Sequence, residues 1–96
     1  MKIDFNKSEG NLIISLEGRL DTITAPLLEE FLKTNLAGVK AVTLNCEKLV
    51  YVSSAGLRVL LALNKKMKNS LKLVNVQEPV MEVFEVTGFV DILEIE

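Results

Sequence analysis

Two adjacent hydroxyls, Ser53 and Ser54, stand before Ala55 and Gly56 at the point where the apolar run 49–52 passes into a second apolar run starting at Leu57. A serine becomes a nucleophile when a base removes its proton, yet the chain has no histidine, so neither a Ser-His-Asp nor a Cys-His arrangement is available. Two other roles remain for these hydroxyls. One is capping: an oxygen at the start of a helix accepts a free N–H of the first turn, which is worth about 1 kcal/mol, and Ser53 is placed for it. The other is acceptance of a phosphoryl group. Ser54, on the first turn beside two small residues, is open to a partner. A phosphate there adds about −1.5 to −2 charges at the positive end of the helix dipole, where the fold tolerates it.

Other chemistries find no support. With no histidine and the single cysteine Cys46, the usual zinc and non-haem iron ligand sets cannot be assembled, and no disulfide closes within the chain. The 13 Asp and Glu residues show no spacing that sets two carboxylates in one cleft for acid–base work. The five glycines are too scattered for a dinucleotide fingerprint or a P-loop. The expectation is a protein that is not an enzyme and carries no metal or cofactor.

The elements that must position the serines follow from periodicity. Residues 2–6 alternate and 12–16 are rich in β-branched side chains, with Glu9, Gly10 and Asn11 between them as a hairpin turn. Gly18 and the segment 21–24 break the strand pattern, and Pro26 suits the first turn of a helix that starts near Thr24. Over 26–36, Leu27, Leu28, Phe31, Leu32 and Leu36 form one apolar face, and Gly38 closes the helix. A strand is expected at 41–44. A second helix over 54–69 carries a stripe of Leu57, Leu60, Leu61 and Asn64, and Lys65, Lys66 and Lys68 suit its negative end. A strand over 71–76, a short helix over 79–86 with Val80, Val83, Phe84 and Val86 inward, a stop at Gly88 and an edge strand at 92–95 complete the chain. Phe5, Phe31, Phe84, Phe89, Met67 and Met81 are assigned to packing. The order ββαβαβαβ describes an α/β domain with a mixed sheet packed with helices.

The chain of 96 residues fits one domain, 1–96, and its 49% apolar and 25% charged composition suits a globular core. A net charge of −2 offers no general attraction to nucleic acid or anionic lipid. Charged residues come too early at the N-terminus for a secretory signal, and no run is long enough to span a bilayer, so a cytoplasmic protein with no membrane or nucleic-acid partner is expected.

Val52-Ser53-Ser54-Ala55-Gly56-Leu57, together with Gly18-Arg19-Leu20-Asp21 and the element order, resembles a STAS domain of the bacterial anti-sigma factor antagonist family, over nearly the whole chain. The resemblance implies a small α/β domain that binds an anti-sigma factor with serine kinase activity, frees the sigma factor, and is switched off by phosphorylation of a serine at the start of the second helix. That serine matches Ser54, with Ser53 as the second candidate. The family's commonest signature is Asp-Ser, a small residue, Gly and Leu; Ser53 stands where Asp is usual. Asp21 matches an acidic residue that the family often places near the phosphorylation site, and helix capping explains it equally well. The implied partner surface is Asp21, Thr22, Ser53, Ser54, Ala55, Gly56 and Arg58, on a monomer that needs no cofactor of its own. Arg58, four residues beyond Ser54, has the reach to pair with a phosphate there, although a solvated role is the plainer one. The alternative is an unphosphorylated STAS scaffold docking in another signalling complex, with both serines serving only as caps.

Overall fold

The computed structural model describes residues 1–96. Strands β1 (Lys2–Ser8) and β2 (Asn11–Leu20) pair antiparallel around a two-residue turn in which Glu9 (φ 51°) and Gly10 (φ 83°) are both left-handed. A turn of that hand matches the twist of a hairpin, and Gly10 enters it without steric cost. β2 does not stop at Gly18 as expected. It runs to Leu20, with Gly18 at φ 104° inside the strand.

The long β2 has a long partner. β3 spans Ala41–Val52, far beyond the four residues expected, and is paired parallel to β2. Its register slips twice: Ser15 faces Asn45 but Glu17 faces Lys48, and Gly18 faces Leu49 but Arg19 faces Tyr51. Each slip places an extra residue in β3, as a bulge does. The buried positions Val42, Leu44, Cys46, Leu49 and Val52 accordingly change spacing from two to three. Glu47 and Lys48 hid this strand from a period-two reading, because the bulge turns both to solvent while Leu49 returns to the core.

Helix α1 (Ala25–Asn35) joins β2 to β3, α2 (Ser54–Met67) joins β3 to β4 (Leu71–Val74), and α3 (Glu78–Thr87) leads through a 3₁₀ turn, Phe89–Asp91, to β5 (Glu94–Ile95). The sheet order is β1-β2-β3-β4-β5, antiparallel only at the hairpin. When neighbours are joined in sequence, right-handed crossovers send every helix to the same face. Burial agrees: Leu12, Ile14, Leu16, Val42, Leu44, Leu71 and Leu73 are buried, whereas Asn11, Ile13, Ser15, Glu17, Thr43 and Lys72 on the other face keep contact with solvent. Parallel sheets usually have both faces covered; this one leaves a largely polar face open.

One cluster of 21 buried apolar residues forms the core, and no polar side chain is buried in it. In α1, Ala25, Leu28 and Leu32 are buried, but Leu27 is exposed, on the side of the helix away from the sheet. In α2 the buried stripe is Gly56, Leu57, Val59, Leu60 and Leu63, not the expected stripe through Leu61 and Asn64. The helix packs on β3 and β4 and against α1, which turns its apolar arc towards Val59 and Leu63. In α3, Val80 and Phe84 are buried while Val86 is 87% exposed, because it shares the outer face with Glu78, Glu82 and Glu85.

Several ends also differ from expectation. α1 is capped at Leu36, two residues before Gly38, and Lys7 Nζ reaches across from β1 to donate to Asn35 O (3.1 Å) and Ala37 O (3.0 Å). Phe5 and Phe31 hold the same pair of elements together edge to face, with centroids 5.0 Å apart. α2 ends at Met67 with Lys68 in the left-handed region, β4 ends at Val74 before Asn75 at φ 58°, and β5 has only two residues. Gly88 caps α3 at φ 80° as expected. No helix is long and apolar enough to cross a membrane.

Cys46 is fully buried, and loss of solvation pushes its thiol up to about 12 from 9.0. The folded thiol therefore stays protonated and sheltered, and it is expected to react with Ellman's reagent only as fast as the protein opens. The linkage has a definite sign: the unfolded thiol ionises above 9.0 while the folded one does not, so stability falls as pH rises beyond 9.0. Cys46→Ala should flatten that alkaline limb in urea melts.

Candidate functional site

The carboxyl ends of parallel strands are where open α/β sheets gather their ligands, and here β2 and β3 finish side by side with Leu20 paired to Val52. β2 passes into α1 through the turn 21–24, and β3 passes into α2 through Ser53 alone. Ser53 N–H donates to Leu20 O at 2.9 Å, which ties the two strand-to-helix turns together.

In the first turn, Asp21 Oδ1 accepts from the backbone N–H of Ile23 (3.0 Å) and Thr24 (3.1 Å), while Thr24 Oγ1 accepts from Asp21 N–H at 2.8 Å. These reciprocal bonds close the turn 21–24 in the manner of a capping box, one turn ahead of α1, whose own N-cap position is Thr24, and Ala25 N–H donates to Asp21 O at 2.8 Å. The Asp21 carboxyl is held below its ordinary value of 3.8, chiefly by the Thr24 N–H. Burial opposes the shift, and the Ile23 N–H, the Thr24 hydroxyl and Arg19 add to it. Arg19 Nε stands 3.7 Å from Asp21 Oδ2, and its guanidinium lies 4.1 Å from the centre of the Tyr51 ring. Arg19 and Tyr51 were not legible as a pair, because the β3 bulge sets their register.

A test follows from the sign of the Asp21 shift. Its stabilising effect is complete above the unfolded value of 3.8 and is lost as pH falls through the lower folded value. Asparagine caps nearly as well as aspartate, so Asp21→Asn should melt close to wild type at pH 7 and lose the acid-dependent limb below 3.8. Asp21→Ala should be weaker than both at pH 7. Equal urea midpoints for all three at pH 7 would remove the capping role.

In the second turn Ser53 is the N-cap of α2, at φ −93° and ψ 175°, with its Oγ accepting from Gly56 N–H at 3.4 Å and its carbonyl from Leu57 N–H at 2.9 Å. Ser53 is half-buried and occupied; Ser54, the first helical residue, is exposed. Serine and aspartate are comparable caps, so Ser53 in place of the commoner Asp leaves the capping geometry intact. The first turn of α2 contains no acidic residue, which leaves the positive end of its dipole uncompensated.

Gly56 is buried, and it sets the depth of this turn. A Cβ built there falls 2.7 Å from Leu20 Cγ and 2.9 Å from Leu20 O, closer than any carbon can sit. Only glycine lets α2 start this near the end of β2. Thr22, Ala55 and Arg58 come together with Pro26, Glu29 and Val59 around a shallow depression of about 220 Å³ between the starts of α1 and α2. Pro26, Glu29 and Val59 are additions to the residues expected from sequence; their helical spacing carried the signal. A larger cavity, about 280 Å³, lies on the open sheet face among Asp4, Ser15, Glu17, Asn45, Glu47 and Lys48. It is polar and solvated, and the chain holds no group of three or more His, Cys, Asp or Glu that could ligate a metal.

Comparison with known proteins bears on this geometry. The STAS domain family model matches residues 2–96. The chain is 36% identical to the putative anti-sigma factor antagonist BtrV of Bordetella bronchiseptica, covering 99% of this chain and 85% of that protein. It is 34% identical to the anti-sigma-B factor antagonist of Bacillus subtilis, covering 99% and 90%. Among solved structures, the fold matches the anti-sigma factor antagonist SpoIIAA in its unphosphorylated form with a TM-score of 0.83 at 19% identity, over 99% of this chain and 88% of that one. It matches the phosphorylated form of Bacillus SpoIIAA with a TM-score of 0.74 at 18% identity, over 99% and 91%. The element order, the serine turn and relatives alike from end to end agree: the chain belongs to the STAS domain family, among the anti-sigma factor antagonists.

Proposed function

We propose that this protein binds an anti-sigma factor with serine kinase activity, so releasing a sigma factor, and that phosphorylation of Ser54 switches it off. One observation carries the reading: Ser53 supplies the cap, which leaves the Ser54 hydroxyl exposed and unspent on the first turn of α2. The kinase brings ATP and Mg²⁺ and transfers the γ-phosphoryl to Ser54 Oγ; the hydroxyl proton leaves to a base on the kinase, and ADP departs. The chain contributes the acceptor and a docking surface of Asp21, Thr22, Ser53, Ala55 and Arg58; Gly56, expected on that surface, is buried beneath it and only seats the turn. The uncompensated dipole of α2 favours the new charge, so the fold survives while the partner's fitted surface meets a dianion. The protein acts without a metal or cofactor of its own, as a monomer in the cytoplasm.

The experiment is incubation of wild type, Ser53→Ala and Ser54→Ala with source-cell lysate and Mg-ATP, followed by intact mass and phosphopeptide mapping. One added phosphoryl group, lost only in Ser54→Ala, is the expected result. Absence of modification while a control substrate is modified would leave Ser53 and Ser54 as capping residues of a scaffold.

A further inference from the structure

Helices α1 and α2 start at the carboxyl ends of β2 and β3 and run back over the sheet side by side, so the furrow between them continues past the depression beside Ser54. Glu29 and Val59 line that depression and also line a second cavity of about 150 Å³ further along, floored by Leu32, Leu36 and Leu63 and flanked by Lys33 and Lys66. Together the two form one groove. From Ala55 to Lys66 it follows α2 through 11 residue steps, about 16 Å at 1.5 Å per step.

The charges along this groove are ordered. Arg58 stands at the Ser54 end, Glu29 in the middle, and Lys33 and Lys66 face each other at the far end, in the last turns of their helices. Three cations against one carboxylate make the groove positive in a chain whose net charge is −2. Between the charged ends, Glu29 apart, the lining is apolar, with Val59, Leu32, Ala62, Leu63 and Leu36. No cation of the chain forms an ion pair there; the ion pairs of the fold lie at Lys2, Arg19, Lys48 and Lys72.

We propose that this groove receives an amphipathic helix of the protein partner, with carboxylates at both ends and apolar side chains between them. The inference rests on the partner-binding reading above and extends its surface from Ser54 to Lys66. Helix-in-groove recognition uses apolar anchors at three- and four-residue spacing. Arg58 and Lys66 lie eight residues apart, so the occupant carries its carboxylates about two turns apart. Glu29 between them disfavours a helix that is acidic throughout.

The test uses the full chain and the partner that wild type retrieves from source cells, identified by mass and then purified. Its affinity is measured for wild type, Lys33→Glu/Lys66→Glu, Ala62→Trp and Ser54→Asp, each checked by thermal melt. Lys33→Gln/Lys66→Gln replaces the charge reversal if that variant unfolds. The expected result is at least roughly tenfold weaker binding for the lysine and Ala62 variants, with the wild-type complex weakening as salt rises. Binding within twofold of wild type for both, while Ser54→Asp fails, overturns the groove and spares the switch. Loss in the groove variants with Ser54→Asp binding normally overturns the switch and spares the groove. A wild-type chain that sediments as a dimer, and as a monomer in the lysine variant, replaces the partner with a second copy; recovery of no partner that prefers wild type overturns the groove.

Discussion

Gly56→Ala lowers stability by about 1–3 kcal/mol, the range for a side chain forced into a filled site, and lowers Tm by about 10 °C for a domain of this size. The sign is informative, because alanine in an exposed helix gains about 1 kcal/mol over glycine. Here the added methyl meets Leu20 Cγ at 2.7 Å and Leu20 O at 2.9 Å. The side chain can yield, but the carbonyl cannot, since it accepts the Ser53 N–H that joins the two turns. Relief therefore means moving the start of α2 outward, and Ser54 with it. Leu20→Ala/Gly56→Ala removes the side-chain clash alone and is not expected to recover wild-type stability. Urea melts of the two variants and wild type decide the matter: a Gly56→Ala protein as stable as wild type would mean that α2 is not seated by this contact.

Ser54→Asp is the second change with a large effect, felt in binding and not in folding. A carboxylate on the first turn of α2 faces a helix dipole with no competing acid, so the melt should stay within about 0.5 kcal/mol of wild type, or rise slightly. The partner, fitted to a neutral hydroxyl, must then desolvate a charge, and affinity should fall on the order of 100-fold, about 2.7 kcal/mol. Ser54→Ala should bind as wild type does, because Ser53 and not Ser54 makes the cap. The opposite pattern is expected at Ser53: Ser53→Ala should lose about 1 kcal/mol of stability while its Ser54 stays available. Melts and binding titrations on the same four proteins separate capping from recognition.

Much of this architecture was legible from residue patterns. Pro26 and the spacing of Leu28 and Leu32 announced α1, Gly88 its counterpart after Phe84, and the paired hydroxyls before Gly56 the start of α2. What stayed hidden in the sheet has one physical source. The bulges of β3 change its inward spacing from two to three residues, and a periodicity argument loses a strand whose period changes. That lost length also hid the pairing of Arg19 with Tyr51. Val86 misled for a different reason: an apolar residue at a helical position reports a face only relative to its neighbours, and Glu82 and Glu85 share that face. In the site, Ser53, Ser54 and Asp21 could be named from sequence, but the capping box of Asp21 with Thr24 and the contact that demands Gly56 are properties of two turns brought together by the sheet.

Whether phosphate on Ser54 controls partner binding is read most directly by calorimetric titration of the purified partner with wild-type protein before and after stoichiometric phosphorylation, repeated after phosphatase treatment. Tight binding, its loss on the order of 100-fold when Ser54 carries the phosphate, and its recovery when the phosphate is removed are the expected results. Equal affinity in all three states would contradict such control.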